Sequence, residues 1–241
     1  MKYVAFILTL FIAINTHSQI TKPEVTEVWQ PEPRVVQTPE NKPPSDAIVL
    51  FDGKDLEAWE SIKGGPAKWK VEDNQFTVAK GTGDIQTKEN FGSVQLHIEW
   101  QSPTKIEGEG QGRGNSGVFF QNKYEVQILD SYENRTYSNG QAGSVYKQHV
   151  PLVNAMRARG EWQVYDIIFT QPVFNKDSMK ISSGFLTVFH NGVLIQNHVE
   201  VYGTTEYIGM PKNLAHGEGA IQLQDHGNPV SYRNVWVRRL D

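Results

Sequence analysis

The chain has 241 residues, 38% of them hydrophobic, with a formal net charge of -4 and no cysteine. That length can bury a sizeable core, and the missing cysteine excludes disulfides and a lipid-acceptor thiol. Lys and Arg are scattered rather than clustered, which argues against nucleic acid or an anionic membrane as partner and favours a neutral ligand.

Residues 1–18, "MKYVAFILTLFIAINTHS", carry one Lys, an apolar run from Tyr3 to Ile14, and Thr16-His17-Ser18 with small residues where a signal peptidase reads. A secretory signal cleaved after Ser18 is expected, and the run is shorter than the roughly 20 apolar residues of a membrane anchor. Losing Lys2 with it takes the charge from -4 to -5. Export follows, with the periplasm as the expected compartment and no membrane insertion afterwards. Residues 19–46 hold Pro23, Pro31, Pro33, Pro39, Pro43 and Pro44, half of the chain's 12 prolines, and read as an extended tether. One domain, 47–241, remains.

Within that domain "KWKVEDNQFTVA" reads as a hairpin turning at Asp73-Asn74, followed by the strand "SVQLHIEWQ". Next come a polar Gly-rich loop, Gln101 to Gly114, and the strands "GVFFQ" and "YEVQILD". "PLVNAMRARG" is the best candidate for a short helix. "EWQVYDIIFT" and the hairpin "GFLTVFHNGVLIQN" follow, the latter with Asn191-Gly192 at the positive-φ positions of a type I′ turn. "GAIQLQD" and "SYRNVWVRRL" complete an all-β sandwich of antiparallel strands.

Alternation assigns faces. Val94, Leu96, Ile98 and Trp100 point to the core, leaving Gln95, His97, Glu99 and Gln101 behind. Tyr124, Val126 and Ile128 oppose Glu125 and Gln127. Ile221 and Leu223 oppose Gln222, Gln224 and His226. Long amides, carboxylates and imidazoles on three strands, beside Gly-rich loops, are expected to form a shared binding surface.

"FDGKDLEAW" (Phe51 to Trp59), "NSGVFF" (Asn115 to Phe120), "YEVQILD" (Tyr124 to Asp130), "GEW" (Gly160 to Trp162), "HNG" (His190 to Gly192) and "IQLQDHGNPVSYRNVWVRRL" (Ile221 to Leu240), in this order, resemble the 3-keto-disaccharide hydrolase domain family. The resemblance runs from about Ile48 to Asp241. It implies a two-sheet antiparallel jelly-roll sandwich of the concanavalin A-like lectin/glucanase type, and cleavage of glycosides already oxidised to a ketone at C3. "QSPTKIEGEGQGRG" departs from the family's pattern as an insertion expected at the rim of the polar face.

A 3-keto sugar permits a route unlike that of glycosidases with two flanking carboxylates. The ketone acidifies the C2 hydrogen; a base removes it, an enolate forms, the C1 substituent is eliminated, and water adds back. This needs a base near C2, donors around the C3 oxygen and an acid near the leaving oxygen. Glu125 is the expected base, with a structural carboxylate holding a loop as its plainer reading. His226 is the expected acid or second base, or else the cap of a turn. Gln127, Gln222 and Gln224 suit sugar hydroxyls, as do Asn115 and Arg113 in "GRGNSG", Arg113 facing an enolate oxygen or merely solvent. Tyr146 and Lys147 offer a stacking ring and a cation. His97 and Glu99 are expected to orient Glu125 or His226.

No HxxxH or HxH spacing marks a zinc site, and no cofactor or metal is expected. The glycine run lacks the Lys and helix of a phosphate loop, and Ser116 and Ser144 have no evident triad. The competing class is a non-catalytic carbohydrate-binding module of the same fold.

Overall fold

Alternation of apolar and polar residues from Val94 to Gln101 becomes an alternation of buried and half-exposed side chains along a single strand, and the other long strands follow it. A computed structural model describes residues 22–240. The signal peptide expected over 1–18 lies outside the described residues. The unit ending at Val36 contains, among the described residues, one short 3-10 helix, Pro23–Val25, and exposed Val28 and Trp29. The second unit starts at Gln37, so the last part of the segment read as tether belongs to it. There Asp46 forms a two-pronged ion pair with Arg238, at 2.7 and 2.8 Å. Among the described residues no helix is long and apolar enough to cross a membrane.

Among the described residues fifteen strands follow in chain order: β1 (Ile48–Phe51), β2 (Trp59–Ser61), β3 (Lys70–Glu72), β4 (Gln75–Thr77), β5 (Ile85–Thr87), β6 (Val94–Gln101), β7 (Ser116–Phe120), β8 (Tyr124–Ile128), β9 (Gln163–Thr170), β10 (Val173–Phe174), β11 (Lys180–Ser182), β12 (Gly184–His190), β13 (Val193–Val201), β14 (Gln222–Leu223) and β15 (Ser231–Arg239). An eight-stranded sheet runs β13-β12-β9-β6-β15-β4-β3, with β1 also paired to β15. A five-stranded sheet runs β2-β5-β14-β7-β8, and β10-β11 form a separate ribbon. Every pairing is antiparallel.

The two larger sheets enclose one core and make the chain a two-sheet jelly-roll sandwich of the concanavalin A-like type. Leu96, Ile98, Trp100, Tyr165, Ile167 and Leu186 of the large sheet join Val118, Phe120, Val126, Ile128 and Leu223 of the small one. Each fully buried side chain of this size contributes roughly 1.5–3 kcal/mol. Polar bolts cross the core: the Tyr165 hydroxyl donates to the Gln127 carbonyl at 2.9 Å, and that of Tyr232 to Ser116 Oγ at 2.6 Å. Since each buried hydroxyl finds a partner, neither burial leaves an unsatisfied group.

Both expected hairpin turns form, with positive φ at Asp73 and Asn74 and at Asn191 and Gly192. The helix expected in "PLVNAMRARG" does not form. Side chains take up its backbone instead: its own Asn154 accepts from Met156 N–H through Oδ1 and donates to the Ser131 carbonyl through Nδ2, and Gln163 Oε1, from the strand that follows, accepts from Arg157 N–H. Such bonds offer the backbone an alternative to helix, and Pro151 supplies no N–H.

β6 belongs to the large sheet, so its polar residues face away from the small sheet and join no surface with β8 and β14. His97 Nδ1 lies 2.7 Å from Asp166, and Glu99 accepts from Arg233 and Asn234 at 2.6 and 2.8 Å. The expectation that His97 and Glu99 orient Glu125 or His226 is therefore corrected: their partners are on β9 and β15. Burial alone would depress the His97 imidazolium, but bonds to Asp166 and Glu99 outweigh it and push its pKa up to about 9. Burial would raise Glu99, but His97, Asn234 and Arg233 hold it down at about 2. A raised folded-state histidine contributes stability that is fully present below its ordinary value and is lost as pH rises through about 9. Screening at half-exposed Asp166 limits the contribution to on the order of 1–2 kcal/mol. Urea titrations of wild type and His97→Gln should thus differ by that amount at pH 6 and converge at pH 10; a constant gap would refute the linkage.

Candidate active site

Strand register builds the site. Glu125 pairs with Phe119, Phe119 with Gln222, Gln222 with Gln86, and Gln86 with Glu60. Residues in direct register share a face, so these five form a row across the outer face of the small sheet. The neighbouring row includes Gly117 and Gln127. A cleft of about 690 Å³ opens over the β7–β8 end of this face.

Glu125, Gln127, Asn115, Tyr146, Lys147, Gln224 and His226, all expected from the sequence, line this one cleft. Gly143 to Tyr146 runs along the free edge of β8, where Gly143 N–H donates to the Gln127 carbonyl and Tyr146 N–H to the Glu125 carbonyl. That pairing sets Tyr146 beside Glu125. The Tyr146 hydroxyl meets that of Tyr137 at 2.5 Å, and burial pushes the Tyr146 phenol up, so it remains a proton donor. Lys147, at a positive φ, donates to the Tyr207 carbonyl and lies 4.5 Å from the centre of the Tyr207 ring. His226 is exposed at the cleft's rim. It follows Asp225, whose Oδ2 accepts from the N–H groups of Gly81 and Gly83 and fixes the turn.

Glu125 and Gln127 are not on an open solvated face; they are 4% and 1% exposed. The Glu125 carboxyl accepts no hydrogen bond from any described residue, which removes the basis for reading it as the clasp of a loop. Burial pushes its pKa up to about 8, and the charge of Asp84 adds to the effect. Asp84 is itself held by Gln222 Nε2 at 2.7 Å and Asp225 N–H at 2.8 Å. Next to Glu125, Gly117 leaves the room its carboxyl occupies: a Cβ there would lie 2.6 Å from Oε1.

Two expected site residues lie elsewhere. Arg113 is buried with its Nε 3.0 Å from Asp130 and donates to the Tyr132 carbonyl, so it pins a loop and faces no enolate oxygen. Gln222 is on the right face but its amide is taken up by Asn122 and Asp84, and it does not line the cleft. Conversely, Gln111, Phe119, Tyr137, Thr205 and Tyr207 line the cleft unanticipated. Alternation through "NSGVFF" marks Phe119, whereas the loop residues carry no periodic signal. Gln111 comes from the inserted loop, which enters the site. Among the described residues no group of three or more His, Asp or Glu is placed to hold a metal ion.

A family model described as a 3-keto-alpha-glucoside-1,2-lyase-like domain matches residues 46–238. The chain is 25% identical to a 3-keto-disaccharide hydrolase of Bacteroides thetaiotaomicron, covering 80% of this chain and 78% of that one. A crystal structure of a candidate glycosyl hydrolase from Parabacteroides distasonis superposes with a TM-score of 0.88 at 55% identity, over 91% of this chain and 97% of that one. A second candidate glycosyl hydrolase from that organism shares the fold, with a TM-score of 0.59 at 23% identity over 81% and 94% of the two chains.

Proposed function

Because the chain belongs to the 3-keto-alpha-glucoside-1,2-lyase-like domain family, we propose that it is a glycoside-cleaving enzyme acting on 3-keto-glycosides or 3-keto-disaccharides. The observation that carries this reading is Glu125: a buried carboxyl with no hydrogen-bond partner among the described residues, its pKa raised to about 8, in a cleft beside phenol and ammonium donors. A base poised near the operating pH is what proton abstraction next to a ketone requires.

Glu125 takes the proton from C2 of the sugar, and the electron pair moves into an enolate whose oxygen the Tyr137–Tyr146 hydroxyls and the Lys147 ammonium stabilise. The enolate then expels the C1 substituent. His226 at the rim gives a proton to the departing oxygen, releasing the alcohol and a 3-keto-1,2-unsaturated sugar. Water adds across that double bond, and the net reaction is hydrolysis. Phe119 supplies an apolar floor for the ring. We also read the protein as exported to the periplasm, on the signal-like residues 1–18, which cell fractionation tests.

Purified protein incubated with a 3-keto-disaccharide and with its unoxidised parent should release monosaccharide from the first alone. Binding without release from either would establish the carbohydrate-binding module in its place.

A further inference from the structure

Lys147 is the one lysine or arginine among the described residues lining the cleft, and no described carboxylate pairs with it. Its ammonium is nonetheless held in place. It donates to the Tyr207 carbonyl at 2.5 Å and lies 4.5, 5.6 and 5.8 Å from the ring centres of Tyr207, Tyr137 and Tyr146, all of which line the cleft. Ring faces attract the cation without neutralising it. Lys147 itself is exposed, so a ligand in the cleft can reach it.

An ammonium has three hydrogens; the Tyr207 carbonyl takes one and leaves two with no acceptor among the described residues. In the Tyr137–Tyr146 pair one hydroxyl donates to the other, and the second hydrogen is left over. Glu125, whose charge would act on both phenols, holds its proton below about 8. This corner therefore offers hydrogens and a positive charge, with no anion of its own. It favours an oxygen that accepts and carries charge, because charge-assisted hydrogen bonds are roughly twice as strong as neutral ones.

We propose that the corner of Lys147, Tyr137 and Tyr146 binds planar, sugar-like monoanions of the enediolate class, whose charged oxygen takes the hydrogens left over there. Phe119, in the same cleft, suits a flat ring better than a puckered one. On the reading of the protein as a 3-keto-glycoside enzyme, such compounds copy the enolate and block the cleft against substrate. The enolate arises as Glu125 receives the C2 proton, so the form of the protein that holds the anion carries a protonated Glu125. The other titratable groups that face this carboxyl are Asp84, whose charge reaches it, and His226 at the rim.

The probe is isoascorbate, a cyclic enediolate that is a monoanion at neutral pH, titrated calorimetrically without oxygen. The control is the saturated 1,4-lactone of the same carbon chain, which is neutral. At pH 7.5 wild type should bind isoascorbate at least about tenfold more tightly than the lactone, the effect of one hydrogen bond to a charged group. Lys147→Gln and Lys147→Met, each checked for folding by thermal melting, should bring the two affinities within about threefold, and either folded variant decides the point. Between pH 7.5 and 9.5, above the ordinary histidine range, affinity for isoascorbate should approach a fall of about tenfold per unit beyond about 8 and stay level in Glu125→Gln. Equal affinity for probe and control in wild type, or a preference that survives loss of the Lys147 charge, overturns the proposal. A level pH profile in wild type overturns the part given to Glu125. The probe is not cleaved, so tight anion binding without cleavage of 3-keto-disaccharide would sink the enzyme reading alone, and cleavage without anion binding would sink the anion site alone.

Discussion

Glu125→Gln should inactivate the protein and, above neutral pH, make it more stable. The loss of turnover is at least ~100-fold, the usual share of a general base. The gain in stability follows from the pKa of about 8, raised by burial and then by Asp84. A carboxyl raised in the folded state holds its proton after the unfolded chain has released one, so folding stability falls as pH climbs from the ordinary glutamate range to about 8 and is level beyond. At 1.36 kcal/mol per unit, that loss is on the order of 4 kcal/mol. Glutamine cannot ionise and does not incur it. Urea unfolding should give similar stabilities for both proteins at pH 4.5 and a more stable variant at pH 9. In wild type, kcat/KM should rise about tenfold per pH unit below about 8 and level off above. A carboxylate kept for structure would behave in the opposite sense, its loss destabilising the fold. Unchanged turnover in Glu125→Gln removes this residue from the mechanism.

Glu125 and Gln127 were legible in the sequence because period-two alternation is local: "YEVQI" alone separates the face of Tyr124, Val126 and Ile128 from the face of its polar residues. His97 and Glu99 show the limit of the same rule. Alternation tells which side of its own strand a residue occupies, but not to which sheet the strand belongs. Pairing of β6 with β9 and β15 is a long-range fact, and it sends these residues to the opposite surface of the sandwich. Turns show a similar division. Asn191-Gly192 announces a hairpin by chemistry that tolerates positive φ, whereas Gln121-Asn122 adopts the same conformation between β7 and β8 with no such signal at Gln121. Its amide is held instead by the Phe91 carbonyl at 3.1 Å and by Gln171 at 3.0 Å, partners distant in sequence. Tyr137, Tyr207 and Gln111 stayed hidden for the same reason: loops carry no period, and their side chains reach the cleft only through contacts the finished fold creates.

Gly117→Ala should leave the sandwich folded and cripple the chemistry. The added methyl would lie 2.6 Å from Glu125 Oε1, 2.9 Å from Phe119 Cε2 and 3.2 Å from Glu125 Cδ. All three atoms belong to side chains, so the backbone of β7 and β8 need not move. A stability change of about 1 kcal/mol, at the low end for overpacking, is expected. Relief comes from swinging the carboxyl out of its place, and a base displaced by about 1 Å loses on the order of 100-fold in rate. Movement toward water also lifts the desolvation that raises its pKa, so the loss of stability between pH 4.5 and 9 should be smaller than in wild type. Gly219→Ala is the contrasting case, because its methyl would meet the backbone of Gln121 at 2.9 Å and relief would require the chain itself to shift. Parallel kcat/KM and urea measurements should therefore separate the pair: activity lost with the fold intact at Gly117, stability lost at Gly219. Activity within threefold of wild type in Gly117→Ala would show that the carboxyl's present position is not the one that reacts.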